Sequence, residues 1–140
     1  MSRSISLAVM VSLIAIAGVT AGTSTAQAAS RSCTGITLFE VGDYSQYLPT
    51  VGYGTGDLDC VLGFGNDSDA VYMLQVTLDG CYKAGLKQDG NYGTLTEAAV
   101  RNVQHAVGVP RDGVYGPQTR THMNWVTSHN NRDECDHTLA

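Results

Sequence analysis

Positive charge is scarce in this 140-residue sequence. Eight Lys and Arg residues stand against thirteen Asp and Glu residues, which gives a formal net charge of −5 at pH 7. A negative protein lacks the field that concentrates nucleic acid or anionic lipid at its surface. The composition therefore excludes a general nucleic-acid-binding role and binding to acidic polymers by bulk attraction.

The sequence also lacks an apolar run long enough to span a membrane. An uncharged apolar stretch extends from Ile5 to Val19, and it falls short of the roughly 20 residues that a spanning helix needs. A basic start containing Arg3 precedes it, and a small polar segment ending at Ala28 follows it. This layout is typical of a secretory signal peptide. We therefore predict that residues 1–28 are removed and that the mature protein is secreted, without membrane attachment.

The sequence has an even number of cysteines, so pairing leaves no free cysteine to act as a catalytic thiol. All four cysteines lie in the segment predicted to be exported, where an even number indicates two disulfides. Three pairings can be drawn, and the expected local geometry favours Cys33 with Cys60 and Cys81 with Cys135. A Cys60–Cys81 bond is less favourable, because the segment before Cys81 would have to run back almost fully extended beside a helix.

The sequence does contain an internal duplication. Residues 85–96 read GLKQDGNYGTLT and residues 108–119 read GVPRDGVYGPQT, at a constant offset without a gap. Asp-Gly is a turn signal, since Asp hydrogen-bonds nearby amides and Gly accepts a positive φ. The Tyr that follows can bury its ring. Each copy therefore predicts a loop, an aromatic anchor and the start of a helix.

Three helices are expected around these two copies. The first is predicted to begin near Ser68 and to end between Asp79 and Tyr82, with its apolar residues on one face. The second is predicted from Leu95 to Val107, where Gly108 ends it, and the third from Pro117 to about Thr127. The polar residues that follow are predicted to be loose.

The segment before the first helix has a different composition. Residues 29–61 are rich in Gly, Thr, Asp and Tyr. Gly35 to Val41 has the β-branched and aromatic content of a strand, Gly42-Asp43 can turn, and Tyr44 to Val51 can return as a second strand. The segment is too short for a core of its own, so we expect a β-hairpin that lies on the helical domain.

Several separate blocks occur in order along the helical part: Val71-x-x-Leu74-Gln75-x-x-Leu78, Tyr82, Asp89-Gly-Asn-Tyr-Gly93, Thr96-x-x-Ala99-Val100, Val103-Gln104, Gly108-Val109 and Asp112-Gly-Val-Tyr-Gly-Pro-Gln-Thr119. Together they resemble the three-helix peptidoglycan-binding domain found beside bacterial wall hydrolases. The resemblance covers residues 62–125, and with the N-terminal segment the chain is similar to small secreted proteins of actinomycetes. It departs from the family at Val103, where Phe is usual, and residues 29–61 resemble no catalytic domain.

The resemblance implies a mainly α-helical fold, with a three-helix bundle at residues 62–127 between the extension at 29–61 and a tail at 128–140. It also implies peptidoglycan as the partner, bound through its glycan strand or its stem peptide. Polar and aromatic residues of the two copies are the predicted ligand-binding residues: Asp89, Asn91, Tyr92, Asp112, Tyr115, Gln118 and Arg120. Each Asp and each Tyr also has a structural interpretation, as a turn residue or a core anchor.

Sequence blocks that mark wall peptidases, amidases and transpeptidases are absent. Glu97 and Asp112 are an acid pair of the kind a lysozyme-like site uses, but nothing in the sequence places them across a cleft. The tail contains metal-ligand types in Asp133, Glu134 and His137, yet their spacing matches no familiar zinc pattern. We therefore expect no catalytic residues, no metal and no cofactor.

These observations predict a secreted, cell-wall-associated protein that binds peptidoglycan without enzyme activity. Two alternatives stay open. In the first, Phe39, Tyr44, Tyr47 and Tyr53 of the extension bind a secreted wall enzyme or another extracellular protein, because a fold does not fix a function. In the second, the protein is a small cell-wall hydrolase.

Overall fold

The computed structural model describes residues 30–137, so the predicted signal peptide and its cleavage site lie outside the described residues. The elements in chain order are β1 (Gly35–Val41), β2 (Tyr44–Thr50), α1 (Asp69–Tyr82), α2 (Thr94–Val107), α3 (Pro117–His122), β3 (Asn124–His129) and β4 (Arg132–His137). Within this part of the chain, no helix has the length and apolar character needed to cross a bilayer.

The prediction of a mainly α-helical fold is wrong. The four strands form one antiparallel sheet in the order β1-β2-β3-β4. The expected hairpin of the extension is present as β1 and β2. Its partners β3 and β4 come from the end of the chain, where the sequence predicted helix and loose tail. The two ends of the described chain therefore combine into a sheet beside the helices.

The third helix is shorter than predicted, and this accounts for the error. It ends at His122, and Met123 already has an extended backbone, with φ −90° and ψ 156°. The next residues are aromatic and β-branched, which favours a strand, and Trp125 and Thr127 are buried in it. The polar tail is ordered because β4 pairs with β3 along its whole length.

Two disulfides join these parts, with the pairing that the sequence favoured. Cys33–Cys60 is buried and closes the N-terminal extension, and Cys81–Cys135 ties the last turn of α1 to β4. The expected start and end of α1 are confirmed: the Ser68 hydroxyl accepts from the Val71 amide as an N-cap, and the helix ends at Tyr82.

Gly80 has a packing role inside α1. A Cβ at this position would come within 2.9 Å of Cγ2 of Val126 on β3. The glycine therefore lets the end of the helix approach the sheet closely, at a modest cost in helix propensity. It does not end the helix, which continues for two more residues.

The core lies between the helices and the sheet. Apolar side chains of α1 and α2 pack there with residues of the strands and of the loops between the helices. The largest fully buried apolar side chains are Leu48, Leu62, Val71, Leu74, Leu78, Tyr92, Tyr115, Met123 and Trp125.

Candidate functional site

A buried glutamine organises the first loop, residues 83–93. The Gln75 carboxamide oxygen accepts from the amides of Asp89 and Gly90, at 3.0 and 2.9 Å. Its nitrogen donates to the Asn91 carbonyl at 2.9 Å and to the Thr96 hydroxyl at 3.2 Å. Because Gln75 is only 1% exposed, one side chain fixes the loop backbone and the start of α2 from inside.

The second loop, residues 108–116, has the same arrangement. The oxygen of Gln104 accepts from the Gly113 amide at 2.9 Å. Its nitrogen donates to the Val114 carbonyl at 3.0 Å and to the Thr119 hydroxyl at 3.1 Å. The repeated sequence is therefore a repeated structure, in which each helix carries a glutamine that clamps the loop following it.

The two predicted aspartates belong to these clamps. Asp89 accepts from the Asn91 amide at 3.0 Å and from Gln75 at 3.2 Å. Asp112 accepts in the same way from the Val114 amide at 2.9 Å and from the Gln104 side chain at 2.7 Å. The Asn91 amide bond, followed by the Gln75 bond, lowers the pKa of Asp89 from its usual value. One oxygen of each carboxylate is thus committed to holding a turn.

The two predicted tyrosines lie in the core. Tyr92 and Tyr115 are each 1% exposed, and burial raises the pKa of both phenols well above the usual value. The Tyr92 hydroxyl donates to the Gly113 carbonyl at 2.8 Å, which links the first loop to the second. The Tyr115 ring packs edge-on against Trp125. Neither ring is available to stack on a ligand.

A short stretch of the chain before α1 runs along the inner side of both loops. The Leu62 amide donates to the Tyr115 carbonyl, and the Tyr115 amide donates back to Leu62. Further along, Gly65 and Asn66 exchange backbone hydrogen bonds with Tyr92 in the same manner. This stretch holds the two loops in fixed relative positions and leaves their outer surfaces uncovered by it.

The remaining predicted residues differ in exposure. Asn91 and Gln118 are exposed, whereas Arg120 is half-buried on α3, and its carbonyl accepts from the Trp125 indole. Asp89 and Asn91 line a side hollow of about 220 Å³ at the start of α2. Neither this hollow nor the groove described next is lined by a residue of the second loop. The structure thus links the loops through the core, and both of these hollows lie on the side of the first loop.

An open groove of about 470 Å³ lies beside the first loop. Its floor is the face of α2 that carries Ala98, Ala99 and Val103, and its far wall is the segment from Tyr82 to Leu86. The side hollow adjoins it, and Leu86 and Leu95 line both. A volume of this size falls in the range of roughly 300–1,000 Å³ that is typical of ligand sites.

The groove results from a difference between the two loops. Helix α2 ends at Val107, about one turn after its clamping glutamine, whereas α1 continues to Tyr82, about two turns after Gln75. Two further residues then precede Gly85, the counterpart of Gly108. We call residues 79–84 the overhang. The last three of them, Tyr82 to Ala84, line the groove as part of its wall.

The overhang is fastened at several points. Its Cys81 is bonded to Cys135, and the Tyr82 hydroxyl accepts from the Asn124 amide at 2.6 Å. The Asp79 carboxylate accepts from the amides of Gly85 and Leu86, at 2.8 and 3.3 Å. The groove wall is therefore held both by its own loop and by strands β3 and β4.

The comparison with protein families decides what the helical part is. The family described as "Putative peptidoglycan binding domain" matches residues 67–123. Over these residues, the chain matches that family. The matched segment contains α1, α2, α3 and both clamped loops. All four strands lie outside it, so the sheet is not part of the segment that matches the family.

Two curated relatives are enzymes by name. The chain is 40% identical over 60 residues to the zinc D-Ala-D-Ala carboxypeptidase of Streptomyces albus G, which covers 41% of this chain and 24% of that protein. It is 36% identical over 82 residues to the spore cortex-lytic enzyme of Halalkalibacterium halodurans, covering 59% of this chain and 24% of that protein. The chain spans about a quarter of the length of each relative, so their activities do not transfer to it.

One solved structure also aligns with this chain. It is a peptidoglycan-binding protein from Clostridioides difficile, crystallised with glutamine hydroxamate. The alignment has a TM-score of 0.46 and 23% identity, and it covers 60% of this chain and 53% of the other.

Sequence reasoning missed the groove and the role of the glutamines. Gln75 and Gln104 were part of the family resemblance, but only the structure shows that each clamps a loop. A polar residue on an apolar helix face, repeated before each Asp-Gly turn, was the signal for the clamp. The unequal distance from each glutamine to its loop was the corresponding signal for the groove. Among the described residues, no group of three or more His, Cys, Asp or Glu side chains is placed to hold a metal ion.

Proposed function

We propose that this protein is a secreted, non-catalytic protein that binds bacterial peptidoglycan in the cell wall. The observation that carries the proposal is the family match over residues 67–123, which coincides with the three helices and their two clamped loops. The two disulfides support an oxidising compartment outside the cytoplasm.

The geometry supports binding rather than catalysis. The carboxylates of the loops, Asp89 and Asp112, are hydrogen-bonded within their own turns. Glu97, the other member of the acid pair considered from the sequence, is paired with Arg101 at 2.7 Å. Groups committed in this way hold a surface in place, and a rigid surface lowers the entropic cost of binding a polymer.

Sedimentation with insoluble peptidoglycan tests the proposal. The mature protein is mixed with purified wall from several bacteria, and the bound fraction is measured after centrifugation, with cellulose as a control polymer. We expect saturable binding to wall and none to cellulose. Absence of binding by folded protein to every wall type would reject the function. A parallel measurement of turbidity tests for hydrolysis, and steady turbidity is expected.

The outer surface of the two loops is the proposed contact region, with Asp89, Asn91, Asp112, Gln118 and Arg120 as polar groups and the buried Tyr92 and Tyr115 as supports. Alanine substitution of Asn91 and Gln118, which are exposed, removes polar groups with little effect on the core. Weaker sedimentation with unchanged unfolding behaviour is expected. Unchanged sedimentation of both variants, and of Arg120→Ala, would exclude this surface.

A protein-binding role is the second candidate, and one feature of the sheet favours it. Leu38 and Tyr47 are cross-strand partners on the hairpin and are 40% and 46% exposed. The double variant Leu38→Ser/Tyr47→Ser tests whether this exposed pair on the sheet contacts the wall. Normal wall binding by this variant is expected if the helical part binds the wall. Loss of wall binding in the folded variant would instead assign the contact to the sheet.

A further inference from the structure

We propose that the groove between the overhang and α2 binds the stem peptide of peptidoglycan, with small side chains on its floor and a peptide carboxylate at Lys83. This inference rests on the proposed function, and it names the part of the polymer that the groove takes. Stem peptides contain alanine residues and carry free carboxylates, so the chemistry of the groove can be compared directly with that of its ligand.

The floor and walls of the groove suit methyl-sized side chains. Four alanines line it, at positions 84, 98, 99 and 106, with Val103 between them on α2. Alanine side chains leave shallow recesses where a longer side chain would fill the space. An alanine methyl group of the ligand can enter such a recess and bury its apolar surface there.

The same lining is poorly suited to a glycan strand. Sugar rings bind to exposed aromatic faces and to dense networks of polar side chains. The groove has one aromatic lining residue, Tyr82, which is half-buried and whose hydroxyl already accepts from the Asn124 amide. Asn102 is the single carboxamide in the lining. The lining thus favours the peptide over the sugar.

Charge provides the second part of the match. The chain carries five more acidic than basic charges, and both of its lysines, Lys83 and Lys87, lie in the loop beside the groove. Lys83 lines the groove, and no carboxylate is among its lining residues in the described part of the chain. Lys87 is paired with Asp89 at 3.7 Å and lies outside the lining. Lys83 is therefore the lining cation that can attract a carboxylate, and its ammonium lies beside the Gly80 carbonyl.

The backbone at Lys83 adds a further observation. Lys83 is the C-cap of α1 and has a left-handed conformation, with φ 55°. The corresponding cap of α2 is Gly108, with φ 76°. Lysine is less suited than glycine to this conformation. The structure thus holds a charged side chain in an unfavourable backbone position at the edge of the groove.

Two substitutions test the inference without touching the core. Lys83→Gly removes the ammonium group and suits the left-handed backbone, so the fold is retained. Ala98→Leu places a larger side chain on the floor at an exposed helical position. Arg132→Ala on β4 is the control for lost charge, and His105→Leu is the control for an exposed leucine on α2 outside the groove.

Binding is measured with three probes: a synthetic stem tetrapeptide with a free C-terminal carboxylate, the same peptide as an amide, and a wall disaccharide without peptide. We expect the free peptide to bind and the disaccharide not to bind. Lys83→Gly is expected to weaken binding of the free peptide about five-fold and to leave the amide unaffected. Ala98→Leu is expected to weaken both peptides about ten-fold, and the controls are expected to match the wild type.

The outcomes distinguish this inference from the proposed function. If the protein sediments with wall but binds the disaccharide and not the peptide, the groove assignment is overturned and the function stands. The groove assignment is also overturned, and the function again stands, if neither Lys83→Gly nor Ala98→Leu changes binding of the peptide relative to the wild type. If the protein binds neither wall nor peptide, both proposals fail. Peptide binding that responds to both variants, without sedimentation on wall, supports the groove and rejects the wider function.

Discussion

The first and second loops show how one structural unit can be used in two ways. In both, a buried glutamine holds an Asp-Gly turn, and the tyrosine that follows enters the core. The clamp needs only one side chain from the preceding helix, so it tolerates a change in the length of that helix beyond the glutamine. The first loop has such a change, and the groove lies there.

The two loops also differ in what supports them. The overhang, which leads into the first loop, is bonded to β4 through Cys81–Cys135 and to β3 through the Asn124 amide. Both strands lie outside the segment that matches the peptidoglycan-binding family. The sheet at the ends of the described chain therefore stabilises a wall of the groove, and this gives these strands a role in the helical domain.

Removal of the disulfide at the overhang is the change with the largest expected effect. The variant Cys81→Ala/Cys135→Ala opens a covalent loop with a sequence separation of 54 residues. The free energy of unfolding is expected to fall by about 4 kcal/mol, because the unfolded chain regains conformational freedom. Chemical denaturation measures this loss.

The same variant tests whether the bond supports the first loop selectively. The amides of Lys83 and Ala84 donate to carbonyls of α1, as those of Gly108 and Val109 do to α2. Hydrogen exchange is expected to speed up at Lys83 and Ala84 more than at the α2 pair. Equal loss of protection in both loops would contradict a special role of the bond at the overhang.

Replacing the clamping glutamines tests whether the two loops are equivalent. Gln75→Met and Gln104→Met keep the approximate shape of the side chain but leave buried amides and carbonyls of the loops without partners. Each variant is expected to lose about 3 kcal/mol of unfolding free energy. Urea denaturation of both proteins checks this. A large loss at one position and almost none at the other would show that the clamps are not equivalent.

The local structure of the helical part could be predicted from sequence because its signals lie close together in the chain. Ser68 precedes the apolar face of α1 and marks the start of that helix, and Gly108 follows the apolar face of α2 and marks its end. Both signals follow from backbone hydrogen bonding and steric limits. The β1–β2 hairpin was predicted for the same reason. Its strands are joined by a two-residue turn, so their pairing is local.

The pairing of distant segments could not be predicted in this way. Residues 124–129 contain Trp125 and Val126, which suit either the end of a helix or a strand. The strand forms because Tyr44 and Ser45 of the hairpin pair with its end, and because β4 pairs along its other side. The predicted tyrosines of the site were ambiguous for a similar reason. Sequence places an aromatic ring in each loop, but whether the ring faces core or solvent depends on the packing of the whole domain.

Alkaline titration compares the two loops through Tyr92 and Tyr115. Burial raises the pKa of both phenols above the unfolded value of 10.0. The unfolded state therefore loses protons first as the pH rises, so stability is intact below pH 10 and declines above it. The expected loss at pH 11 is about 3 kcal/mol for the two residues together. Absorbance of tyrosinate and far-UV circular dichroism should show that these two phenols ionise only with unfolding. Ionisation of all seven tyrosines in folded protein would contradict their burial in solution.

The helix caps provide the smallest and most local comparison, because the C-cap of α1 is Lys83 and the C-cap of α2 is Gly108. A Cβ added at Gly108 meets no atom within 4 Å, so Gly108→Ala changes only the backbone preference. It is expected to lower the unfolding free energy by about 1 kcal/mol. Lys83→Gly is expected to raise the unfolding free energy by about 0.5 kcal/mol. Glycine relieves the strain of the left-handed backbone, and this gain is partly offset by loss of the hydrogen bond from Lys83 Nζ to the Gly80 carbonyl. Urea denaturation under identical conditions resolves changes of this size when midpoints are compared. Shifts of both variants in the same direction would show that the left-handed backbone at Lys83 does not cost stability, and that the lysine at the groove is not held against its conformational preference.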